Sequence, residues 1–133
     1  MTYQPSRYTR GELVVVIDCQ DLDRAAGFWA AALGYQRAPA SGQYLSLAPP
    51  GGEGVEILLQ RVPGHKQGKT PVHLDLRTRD LGAEVERVLG LGAVRLTEQP
   101  IAEHGWRWHV LADPDGNEFC VLQPPEEYWQ PPG

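Results

Sequence analysis

The run His104-Gly105-Trp106-Arg107-Trp108-His109 sets two indoles at alternate positions. Alternate side chains of an extended strand share a face, so Trp106 and Trp108 stand side by side while Arg107 and His109 point away from them. Two adjacent indoles suit the flat surface of an aromatic or conjugated molecule; packing into a core, or against a second copy, is their other use. The stretch from Val72 to Arg77 alternates in the same way, gathering His73, Asp75 and Arg77 on one face. Between Val55 and Gln60, Glu56 and Gln60 lie opposite Val55, Ile57 and Leu59. These polar faces either line a ligand site or face water. Cys19 and Cys120 are too few for a disulfide framework and read as small buried apolar side chains.

Side chains of this kind need elements to hold them, and the chain carries one pattern twice. Residues 14–35 and 73–93 share a strand, an acidic cap, a helix and a glycine, with Asp21-Leu22 lying over Asp80-Leu81 at an offset of 59. Residues 44–58 lie over 108–122 at an offset of 64, with Pro50 on Pro114, Gly52 on Gly116 and Tyr44 on Trp108. Each copy reads β-α-β-β-β. The first has strands expected near 12–18, 36–39, 43–48 and 54–60 and a helix at 21–33. In the second the strands are expected near 71–78, 94–98, 106–112 and 117–123, with a helix at 80–91. Leu22, Ala26, Trp29 and Leu33 form an apolar stripe on the first helix, as Leu81, Val85, Val88 and Leu89 do on the second. Asp21 and Asp80 stand at the N-caps, and Gly34 and Gly92 where each helix must turn out. The segment 61–71 links the copies, its His65 and Lys66 expected in solvent, and the Pro-rich tail 124–133 is expected to be extended.

At 133 residues, 41% of them apolar, the chain is large enough for one domain with its own core. Its net charge of −5 gives no attraction to a phosphate backbone or an anionic membrane, so neither nucleic acid nor membrane is an expected partner. The aliphatic run Leu13–Ile17 is far shorter than the ~20 residues of a membrane span, and the polar start lacks the apolar core of a secretory signal. The expected location is the cytoplasm. No G-x-S-x-G, P-loop, C-x-x-C or H-E-x-x-H motif is present, which leaves hydrolase, nucleotide and zinc-protease readings without support.

The paired modules, the Asp-Leu-helix-Leu-Gly-Tyr segment at 21–35, the strand Val-His-Leu-Asp-Leu at 72–76 and the run Ala-Asp-Pro-Asp-Gly-Asn-Glu-Phe at 112–119 resemble the vicinal oxygen chelate superfamily. That superfamily includes glyoxalase I, extradiol dioxygenases, fosfomycin resistance enzymes and bleomycin resistance proteins. The resemblance spans 12–124 and implies one α+β domain. Module one covers 12–60, the linker 61–71 and module two 72–124, with terminal extensions 1–11 and 125–133. The two βαβββ modules are expected to form a curved, eight-stranded mixed sheet with helices on its convex side. Homodimerisation is implied as well.

Metal-dependent relatives hold a divalent ion with side chains from the first and last strand of each module. Carried onto this chain by the repeat offsets, those positions fall on Val14, Glu56, His73 and Cys120. Valine donates nothing, and a cysteine thiolate suits zinc better than manganese, iron or magnesium. The set is incomplete, so no resident metal or other cofactor is expected, the alternative being a divalent metal completed by Glu118 or Asp75 swinging in. Glu118 and Asp75 lie close by in sequence but off the family's ligand positions. Glu56 and His73 remain as an acid-base pair for an enzyme reading, an isomerase, lyase or dioxygenase with or without a metal. The reading from a different class is sequestration: a cytoplasmic binding protein resembling the bleomycin resistance group. It would hold an aromatic metabolite or antibiotic against Trp106, Trp108 and Tyr44, with Glu56, His73, Asp75, Arg77 and Glu118 as polar anchors.

Overall fold

The computed structural model describes residues 7–8, 11–12, 14–64, 68 and 73–130. His65, Lys66 and Val72 lie outside them. The chain divides into two compact units, Met1–Lys66 and Gln67–Gly133, and the division falls inside the expected linker.

In the first unit a short antiparallel pair, β1 (Arg7–Tyr8) and β2 (Gly11–Glu12), precedes β3 (Val14–Cys19). Helix α1 (Leu22–Leu33) follows, then β4 (Gln36–Arg37), β5 (Tyr44–Ala48) and β6 (Glu56–Arg61). The sheet runs β3-β6-β5-β4, with β3 parallel to β6 and the other pairs antiparallel. Its order follows from strand chemistry. A helical crossover returns the chain parallel, whereas a Pro/Gly turn returns it antiparallel. Ile17, Cys19, Leu45, Leu47, Ile57 and Leu59 are buried on one face, and α1 packs on β5 and β6. The helix buries Ala25, Ala26, Phe28, Trp29 and Ala32, while Leu22 and Leu33 of the expected stripe are half-buried. Asp21 accepts from the Arg24 N–H at 3.0 Å as N-cap, and Gly34 ends the helix at φ 70°. The Tyr35 hydroxyl donates to the Val55 carbonyl at 2.9 Å, and burial pushes its pKa up.

The second unit repeats the order with β7 (Leu74–Arg77), α2 (Leu81–Leu91), β8 (Val94–Arg95), β9 (Ile101–Glu103), β10 (Trp106–Ala112) and β11 (Glu118–Gln123). The sheet order is β7-β11-β10-β8, with β9 also pairing β10. Leu81, Val85 and Val88 of α2 are buried, and the helix packs on β10 and β11 over Leu111, Phe119 and Val121.

Two βαβββ modules in an α+β fold are therefore present, with the helices where the repeat placed them. Among the described residues the hydrogen-bonded ladders group the strands as the β1-β2 pair, one four-stranded sheet and one five-stranded sheet. The strand expected at 94–98 is also cut short. Pro100, which has no N–H to donate, separates Val94–Arg95 from a further short strand at 101–103 that lies against β10. Among the described residues of the tail, Glu126–Trp129 forms one turn of 3₁₀ helix rather than an extended run. None of the described helices is long and apolar enough to cross a membrane.

Candidate functional site

The face of the second sheet turned away from α2 collects the residues with chemical capacity. Register partners across a sheet point to the same side. Cys120 lies beside Asp75 on β7 and Val110 on β10, and Leu122 lies beside Arg77 and Trp108. Trp106 and Trp108 thus share a face with Asp75, Arg77, Glu118, Cys120 and Leu122. Arg107 is exposed on the opposite side. His109 is buried there, its Nδ1 within 2.8 Å of Thr97 Oγ1 and 3.1 Å of the Thr97 carbonyl, and so serves the fold.

At one end of this face Trp106, Trp108 and Leu122, with Glu103 and His104, line an open pocket of about 370 Å³. Both indoles are partly buried. The Arg77 guanidinium lies 5.2 Å from the ring centroids of both Trp106 and Tyr128 and donates to the Tyr128 hydroxyl at 2.7 Å. Tyr128 also meets Trp106 edge-on, with centroids 5.5 Å apart. These contacts are the physical reason for the helical turn in the tail: two rings and a cation bind Tyr128 down. From the sequence Tyr128 and Trp129 are either loose or laid over a neighbour, and Tyr128 is laid over Trp106 and Arg77, neighbours that no periodicity names.

At the other end, His73 Nε2 lies 3.2 Å from Asp75 Oδ1. The ligand atoms of His73, Asp75 and Cys120 all lie within 4.8 Å of one another. Cys120 is buried at 7% exposure, while His73 and Asp75 reach solvent. Neither Cys19 nor Cys120 forms a disulfide.

In the first unit Glu56 accepts a hydrogen bond from Ser46 Oγ at 2.8 Å. Val14 is its partner on β3. Tyr44 is 43% exposed and its hydroxyl accepts weakly from Gln60 Nε2 at 3.4 Å. Glu56 and Tyr44 belong to one unit and His73 and Trp108 to the other, and the neighbour of His73 is Asp75. A larger cavity of about 460 Å³ in the first unit is lined, among the described residues, by Gln20, Gln43 and residues 61–64.

The register corrects one equivalence. Val15 pairs with Ile57, and Leu74 with Phe119, so the counterpart of Glu56 in the second unit is Glu118 rather than Cys120. The antiparallel hairpins agree, since Leu47 faces Ile57 and Leu111 faces Phe119. The turn at 113–117 is two residues shorter than that at 49–55, which the alignment of glycines concealed. Asp-Pro-Asp-Gly-Asn is itself structural. Asp113 is 2% exposed, its Oδ1 accepts from the N–H groups of Asp115 and Asn117, and Gly116 sits at φ 85°.

A hard divalent cation of the kind used by metal-dependent relatives does not fit these residues. Val14 has no donor, and the side chains that do converge include a thiol.

No functionally curated protein matches the chain by sequence. Solved structures do resemble it. A glyoxalase/bleomycin resistance protein/dioxygenase family enzyme from Burkholderia phytofirmans is 17% identical with a TM-score of 0.69, the match covering 83% of this chain and 95% of that one. The fosfomycin resistance protein FosX from Listeria monocytogenes, solved with manganese(II) and sulfate, is 18% identical with a TM-score of 0.69, covering 90% and 94%. A hypothetical protein from S. aureus is 18% identical with a TM-score of 0.65, covering 87% and 99%. At these identities the likeness is one of fold, and it is the fold of the glyoxalase/bleomycin resistance/dioxygenase superfamily. The glyoxalase-like domain model matches residues 14–122, and with the repeated modules and their shared turn this makes the chain a member of the glyoxalase-like domain family.

Proposed function

We propose that this protein binds and sequesters a small aromatic or conjugated molecule, a metabolite or an antibiotic, in the manner of a bleomycin resistance protein. The observation that carries the reading is the pairing of Trp106 and Trp108 on one sheet face, lining a pocket floored by Leu122. Indole faces and an aliphatic floor bind flat apolar surface; Arg77, beside Leu122 in register, offers a polar anchor, with Asp75 and Glu118 farther along the same face. Catalysis through a hard divalent metal forms no part of this reading. A cytoplasmic homodimer is the assembly we propose.

Native mass spectrometry of the full chain, purified untagged from its own host, tests the proposal. It should retain an aromatic compound that leaves unchanged on unfolding. A compound that the protein converts, with His73→Ala abolishing conversion while binding persists, would establish an enzyme instead.

A further inference from the structure

We infer that His73, Asp75 and Cys120 form a zinc site confined to the second unit. Positions i and i+2 of a strand share a face, so His73 and Asp75 project from the same side of the segment leading through β7. Cys120 is the register partner of Asp75 on the neighbouring strand, on that same side. Three donors of different type, imidazole, carboxylate and thiol, thereby converge with every ligand atom within 4.8 Å of the others. The His73 and Asp75 atoms, at 3.2 Å, are already spaced as two ligands of one tetrahedral ion bound at about 2.0–2.2 Å would be.

The chemistry selects the metal. A mixed nitrogen, oxygen and sulfur set is characteristic of zinc, whereas manganese and magnesium favour oxygen. The set shares His73 and Cys120 with the one the family resemblance implies and differs from it in the rest. It draws on one unit alone and uses Asp75, which that resemblance does not assign. It also departs from the expectation of a metal-free chain. Three protein ligands leave a fourth position open to water. Two residues along β11 lies Leu122, about 7 Å away, in the floor of the indole pocket. The zinc site does not depend on the aromatic binding proposed above.

Cobalt(II) is a spectroscopic probe for such a site. The full untagged chain, stripped of metal with a chelator, should bind one cobalt per chain and develop a thiolate-to-metal charge-transfer band in the near ultraviolet, which added zinc abolishes. Cys120→Ser should erase the band and Cys19→Ser should keep it. Asp75→Asn and His73→Ala, at exposed positions that tolerate change, should each weaken cobalt binding at least about tenfold while far-ultraviolet circular dichroism stays native. The proposal is overturned if stoichiometric cobalt gives no charge-transfer band, if the band survives Cys120→Ser, or if folded His73→Ala binds cobalt as tightly as the parent. Should Cys120→Ser fail to fold, the His73 and Asp75 variants decide alone.

Discussion

Asp113 accepts on Oδ1 from the backbone N–H groups of Asp115 and Asn117, at 2.9 and 2.8 Å, and on Oδ2 from the Asn117 side chain at 3.1 Å, almost without solvent. Removing such an acceptor strands buried donors, so Asp113→Ala should destabilise the protein by about 2–3 kcal/mol, read as a lower urea midpoint, while cobalt binding by the folded fraction is unchanged. The most recognisable run in the sequence is therefore the signature of a turn and says nothing about chemistry. Trp106, Trp108, Asp75 and Arg77 were legible as one face because strand alternation has a period of two and needs no partner to be read. Cys120 was legible as a donor only at a position it does not hold by register. Its convergence with Asp75 depends on how β7 and β11 align, and the two-residue difference in turn length was hidden by matching glycines. The cluster of Arg77, Trp106 and Tyr128 left no local trace at all.

Helices were the most readable elements, since cap, stripe and terminal glycine agree at each: both begin one residue after an aspartate cap and end at a left-handed glycine. The short strands were less so. Two-residue pairs such as β4 and β8 exist because β5 and β10 are there to receive them, and that support is not encoded in their own residues. On α2, Glu84 accepts from Arg87 Nε and Nη2, both at 2.7 Å, and these bonds hold its carboxyl below the usual carboxylate range. A carboxyl depressed in the folded state stabilises it above the unfolded pKa, and that stabilisation is lost as pH falls through the folded value. Glu84→Gln should therefore cost about 0.3–0.5 kcal/mol at neutral pH and nothing once the parent's Glu84 is protonated. Chemical denaturation at neutral and at strongly acidic pH would show the two melting curves converge in acid.

Over the whole molecule the internal repeat located both helices and the strands that flank them, because duplication is visible without any knowledge of packing. It could not foretell that the ladders form a sheet of four strands and another of five, since a repeat carries no information on which strand edges join. Among the described residues strand β3 is an edge of its sheet, the kind of position that pairing with a second copy covers. Light scattering at micromolar concentration should accordingly return twice the 14.7 kDa chain mass, and a monomer would remove the proposed dimer. The central claim is that the indole face binds a flat ligand by stacking and burial. It is tested most directly by calorimetric titration of the host-derived compound into the parent, Trp108→Ala and His73→Ala. Trp108→Ala should lose about 1–3 kcal/mol of binding, roughly 5- to 150-fold in Kd, and His73→Ala less. Equal affinity in the parent and Trp108→Ala would contradict it.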